Sequence, residues 1–241
     1  MKDKKMTLME HFAELRRRFL WCVLIFFIAF VFGWYVAPFA QEFLTKPLLK
    51  IWDGNLLYNG LTDGLMIRLS LSVTIAMLIS LPVVLWHIWA FVAPGLKQRE
   101  KNFIWPMMIA SPILFLVGAG FAFYVLFPFV FKFFIELNKS APVPAIILPA
   151  MRDYLTFAIR LLKVFGIAFQ LPIVMILLNR IGVLSRARVI AMRRYAIIFV
   201  VVLAAVLTPP DVVSQVLLAV PMWALFELSI LFMRRDTNVI K

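Results

Sequence analysis

The sequence predicts an all-α polytopic membrane protein with six transmembrane helices. Three observations point there. Apolar residues make up 64% of the chain and mean hydropathy is +0.97, well above the roughly half-apolar makeup of soluble domains. These residues gather into six runs, at 19–37, 66–90, 106–131, 154–178, 195–208 and 213–233. Basic residues are sorted by side: residues 1–18 hold six, 91–105 three, 179–194 five and 234–241 three, so 17 of the 25 Lys and Arg fall on one face. The opposite connections, 38–65, 132–153 and 209–212, carry Lys46, Lys50, Lys132, Lys139 and Arg152. Positive charge stays cytoplasmic, so both termini are expected inside. An even number of spans demands the same.

The elements follow in order. "TLME", Thr7 to Glu10, has the form of a capping box and predicts a helix start. Leu8, Phe12, Leu15 and Phe19 then make an apolar stripe at helical spacing, suited to the membrane surface or to direct entry into the first span. That span is longer than a signal-peptide core and five more follow, so it is expected to be retained. Pro82, Pro112, Pro172 and Pro221 interrupt later spans and predict kinks that leave a concave scaffold. Gly118 and Gly120 predict close helix contact in the third. At about 1.5 Å per residue the fifth run reaches roughly 21 Å, short of a hydrocarbon core of about 30 Å. "TPPD" joins it to the sixth, its prolines ending one helix and Asp211 placed to cap the next. No repeat or composition break appears, so residues 1–241 read as a single integral membrane domain.

Several functions are excluded. HExxH, Walker A and GxSxG patterns are absent, and His11 and His87 are the only histidines, so neither an enzyme nor a cofactor is predicted. The net charge of +13 lies beside apolar runs rather than in a basic domain, which argues against nucleic acid. Cys22 is the single cysteine, which rules out an intrachain disulfide.

Few polar residues remain to carry function. Glu14 stands four before Arg18, the favourable order for an intrahelical ion pair of about 0.2–0.5 kcal/mol. Glu100 is the only acid of its connection, and by itself reads as a solvated charge. Gln170 and Glu227 lie inside the fourth and sixth runs and need partners there. Arg160 and Lys163, also in the fourth run, must snorkel, pair or mark a later start to that span.

Several stretches together resemble the TatC family, the multispanning core of the twin-arginine protein translocase. They are "HFAELRRR", "KPL", "WAFVAPGLKQRE", "FGIAFQLP" and "LTPPDVVSQVLLAVPM", in that order. The resemblance implies a receptor in the bacterial cytoplasmic (inner) membrane that binds the twin-arginine signal peptide of folded cargo. It implies assembly with TatA- and TatB-type single-span subunits and with further copies of itself, driven by the proton-motive force. By motif, Glu14 and Glu100 are the carboxylates that hold the arginine pair, and Phe91, Arg16, Pro47, Pro94 and Asp211 fall on motif positions. Position 170 departs, since some members carry Glu where this chain has Gln. Gln170 is then expected to touch the signal peptide or a partner helix, and Thr208 and Gln215 to face a TatA- or TatB-type helix. A small-molecule secondary transporter is the alternative, but such folds usually show paired repeats that this chain lacks.

Overall fold

A backbone inside a bilayer must satisfy its own polar groups, which favours helices wherever the chain is apolar. The computed structural model describes residues 8–52, 54–92, 98–140, 148–207 and 212–234; the side chains of residues 8, 10, 92 and 98–104 lie outside that description. Among the described residues every regular element is a helix, and the one extended contact is a parallel bridge between Leu57 and Ala150. Among the described residues five stretches are long and apolar enough to cross a membrane: His11–Leu49, Asp63–Phe91, Trp105–Lys139, Met151–Arg180 and Val212–Phe232.

Helices α1 (Leu8–Leu49) and α2 (Asp63–Val92) share the broadest contact in the described structure. Thr7, the expected cap, lies outside the described residues. The first apolar run ends at 37, yet α1 continues through Pro38 for three further turns. Ala37, Leu44 and Leu48 are buried at helical spacing, so packing carries the helix onward. Pro38 has no N–H to give the Trp34 carbonyl four residues back. Arg68 of α2 supplies one instead: its Nε donates to Trp34 O at 3.2 Å, and its guanidinium lies 4.6 Å from the centre of the Trp34 ring. This accounts for a charged residue inside the second span.

Helix α3 (Gln98–Phe121) passes through a π-helical turn (Ala122–Leu126) into α4 (Phe127–Lys139), so the third span outlasts its predicted end at 131. Phe123, Phe127 and Phe131 pack edge to face along it, 5.7 Å apart at each step. The fourth run is not one helix. It comprises α5 (Met151–Ala168) and α6 (Leu171–Arg180), parted by a turn at Phe169 and Gln170. Pro172 explains the break, since proline suits a first turn and cannot bond backward. Gly118 allows α3 to meet α5, because a Cβ there would stand 2.5 Å from Phe165 O. Gly120, expected to share that role, faces open space. Short α7 (Arg186–Ala191) starts on Ser185, whose Oγ accepts from Arg188 N at 3.2 Å, as an N-cap does. Then come α8 (Arg193–Leu207) and α9 (Val212–Phe232), which pack together. With 15 residues, α8 reaches only about 22 Å.

Phe127, Phe165, Leu71, Leu155 and Leu161 form the centre, each under 2% exposed. A polar latch closes the end of the bundle where α1 finishes and α2 and α5 begin. Buried Asp63 accepts from Asn59 N and Gly60 N, each at 2.9 Å, and from Arg152 Nη1 at 3.0 Å. Leu57 N donates to Pro149 O at 3.0 Å and Met151 N to Leu57 O at 2.9 Å, which makes the bridge. Tyr154 adds a bond from its hydroxyl to Leu44 O at 2.6 Å.

Candidate functional site

The candidate site lies at the other end, where α1 starts and α2 finishes. His11, Glu14 and Arg18 recur at helical spacing on one face of α1. That face meets His87 and Phe91, four residues apart on α2. The His11 and Phe91 rings stack with centroids 4.2 Å apart and planes 17° from parallel. Phe91 thus anchors the beginning of α1 to the end of α2.

Glu14 does form the intrahelical pair. Arg18 Nε donates to Glu14 Oε1 at 2.9 Å, and Arg18 Nη2 donates to the same oxygen. The two side chains are 22% and 24% exposed, so the pair is partly desolvated. The second carboxylate oxygen, Oε2, is buried and has no hydrogen-bond partner among the described residues. A buried acceptor without a donor costs the full desolvation of that group, so few are left unused. His87 Nδ1 is also buried and without a partner among the described residues. This face of α1 therefore holds one anionic oxygen open to a further donor.

Other sequence-predicted residues are distributed widely. Glu100 is the third residue of α3, nine after Phe91, but its side chain is outside the described residues, as are Pro94, Thr208 and Asp211. Arg16 is exposed, about 200° around α1 from Glu14. Pro47 is half-buried in the last turn of α1, at the latch end. Three polar residues expected to need partners find them within this chain. Gln170 Nε2 donates to Ser111 O at 2.8 Å, and Trp89 Nε1 donates to Ser111 Oγ at 3.1 Å, which ties α2, α3 and the α5–α6 turn together. Gln215 Nε2 donates to Val201 O at 3.1 Å across the α8–α9 pair. Glu227 Oε2 accepts from Arg193 Nη2 at 2.6 Å.

Residues 10–221 match the family described as Sec-independent protein translocase protein (TatC). The chain belongs to the TatC family. The Sec-independent protein translocase protein TatC of Magnetococcus marinus is 36% identical over 96% of this chain and 85% of its own length. That of Haemophilus influenzae is 37% identical over 96% of this chain and 90% of its own. A solved structure described as the twin arginine translocase receptor TatC in DDM superposes with a TM-score of 0.86 at 32% identity, over 93% of this chain and 99% of that one. As a TatC-family member the chain is a multi-pass membrane component of a protein translocase rather than an enzyme. None of these matches supports the small-molecule transporter.

Sequence reasoning missed the latch pair Asp63–Arg152 and the Arg68–Trp34 contact. Both join residues far apart in the chain, and no local pattern announces them. The signal available for Arg68 was a proline in α1 that leaves a carbonyl without its usual donor.

Proposed function

We propose that this chain captures the twin-arginine signal peptide of folded cargo, and that Glu14 and Glu100 jointly hold its two guanidinium groups. The observation that carries the reading is the buried Oε2 of Glu14, without a partner among the described residues, beside the His11–Phe91 stack. Oε1 is occupied by Arg18, so an incoming guanidinium meets an oxygen already desolvated and directed by the protein's own arginine. A guanidinium suits this site because its planar fork can give one N–H to the remaining oxygen of Glu14 and others to a second carboxylate, a geometry lysine cannot match. Glu100 lies on α3 within nine residues of Phe91, near enough in chain to serve the same end of the bundle.

The same proposal places the capture end at the cytoplasmic face of the bacterial inner membrane. Both termini are inside by the distribution of Lys and Arg. The chain forms one integral membrane domain of six spans, α8 completing the five longer ones, with kinks at several prolines shaping a concave scaffold. TatA- and TatB-type helices pack near Gln215 and the α8–α9 connection, further copies of the chain join the complex, and the proton-motive force drives transport. Gln170 is held by Ser111 O in this state, and exchanges that bond for one to the bound peptide or helix.

The deciding experiment measures binding of an Arg-Arg signal peptide, and of its Lys-Lys counterpart, to the purified chain in detergent. Wild type should bind the first and not the second. Glu14→Gln and Glu100→Gln should each weaken binding about 30- to 5,000-fold, the 2–5 kcal/mol expected for one partner of a desolvated charge pair. The double variant should be little worse than either single one, because both act on one ligand group. Wild-type affinity in both single variants would overturn the proposal.

A further inference from the structure

We propose that Arg160 and Lys163 of α5 bind the phosphate of an anionic phospholipid headgroup, drawn down beside the α8–α9 pair. A charge facing hydrocarbon is costly unless it reaches water or a partner. Other charges inside spans find one: Arg68 bonds Trp34 O and Glu227 bonds Arg193. Arg160 and Lys163 form no hydrogen bond or ion pair with any described residue. They share a face of α5, Arg160 exposed and Lys163 half-buried, with exposed Thr156 one turn before them. The acid nearest on that face is Asp153, seven residues or about 10 Å before Arg160, too far to neutralise it.

Depth decides what kind of anion fits. Phe131 of α4 packs against Tyr154 and Phe157 of α5, at 4.7 and 5.8 Å between ring centroids, which sets those residues level. Two positions earlier, Phe129 lines an apolar cavity of about 580 Å³ whose other wall includes Val212, the first residue of α9. Helix α9 therefore begins close to the level of Phe157. Arg160 lies only about 5 Å deeper, one helical turn. Side chains on a helix tilt toward its N-terminus, which carries both cations toward that same surface. With α8 only 15 residues long, the bilayer beside it must thin, and lipid phosphates then come within reach of a snorkelling Arg and Lys. Guanidinium grips a phosphodiester through two parallel bonds while the ammonium adds a point charge. At this depth a headgroup phosphate, rather than a carboxylate on a neighbouring helix at mid-membrane, is the matching group.

The test reconstitutes the full chain into phosphatidylcholine nanodiscs containing a small fraction of phosphatidylglycerol with a photoreactive headgroup, and maps adducts by peptide mass spectrometry without any signal peptide. Wild type should be labelled within residues 152–167. Arg160→Gln/Lys163→Gln should lose that label about tenfold, the loss of a charge-assisted contact, while Arg160→Lys/Lys163→Arg keeps it. Unlabelled phosphatidylglycerol should compete, and extra phosphatidylcholine should not. An absent adduct, or one unchanged by the Gln pair, overturns the proposal. So does equal loss in the charge-keeping pair, which would indicate packing. Competition by inorganic phosphate would make it a free-anion site, and suppression only by an added helix bearing a central Glu would make it a protein site; either result also overturns it.

Discussion

Two carboxylates at opposite ends of the bundle, Asp63 and Glu14, meet opposite fates. Asp63 is buried, and both its oxygens are engaged: Oδ2 takes two backbone N–H groups and Oδ1 takes Arg152. Glu14 is partly buried, and among the described residues only its Oε1 is engaged, by Arg18. One acid is saturated by the fold and the other is half open. A saturated acid holds the chain together, because removing it strands several donors at once. A half-open acid contributes little to stability, and its spare oxygen is available to a ligand. Each end has its arginine, so an ion pair alone does not tell the two roles apart. The count of unsatisfied acceptors does.

The comparison breaks if the roles cross. The largest effect should come from Asp63→Ala, which leaves the Asn59 and Gly60 backbone donors without their acceptor while half-exposed Arg152 turns to water, each hydrogen bond to a charged group being worth about 1.5–3 kcal/mol. Expected is a loss of roughly 3 kcal/mol in thermal unfolding of the detergent-solubilised chain, with signal-peptide affinity kept in the folded fraction. Loss of affinity with unchanged unfolding would put the ligand site at the wrong end. Gln170→Leu sharpens the middle ground, since this amide ties three helices through Ser111. It should cost about 0.6–2 kcal/mol in stability and weaken export in a reporter assay without preventing membrane insertion. Export at wild-type level would reduce Gln170 to packing. The smallest effect belongs to Arg18→Gln. Its pair with Glu14 is worth about 0.2–0.5 kcal/mol when exposed and somewhat more when partly buried, so unfolding should shift by about 1 kcal/mol or less. Binding should survive, because Oε2 is untouched. Abolished binding in Arg18→Gln with folding intact would mean that Arg18, rather than the open oxygen, defines the site.

Hydropathy is a local sum, and it read well wherever a span's neighbours were lipid or apolar side chains. The α9 run, 213–233 by sequence and Val212–Phe232 in the structure, shows this. It failed where the fold supplies something from a distance. The first run ends at 37, but α1 crosses Pro38 with the help of Arg68, a residue 34 positions away. In the fourth run hydropathy is continuous, while Pro172 announced an interruption that the structure places just before it, at Phe169 and Gln170. At the site, the order Glu14, Arg18 gave the ion pair, and the motif pointed to Glu14 as a ligand group. That Arg18 takes one oxygen while the other is buried without a partner among the described residues depends on burial and was invisible in the residues.

The π-helical turn at Ala122–Leu126 has a consequence for rotational phase. Phe115, Ala119, Phe123, Phe127, Phe131 and Ile135 are all buried, and they recur every four residues. At 3.6 residues per turn, each such step advances about 40° around the axis, so five steps would swing the stripe roughly 200°, onto the far side of a straight helix. A π turn takes in one extra residue, about 100° of winding, and cancels half of that drift. Deleting any one residue between 122 and 126 would let the segment relax to a regular α-helix. Because the turn absorbs the extra residue without added winding, that deletion would leave Phe127, Phe131 and Ile135 facing the partners they now face, whereas forcing all the residues into α-helix would turn them about 100° away.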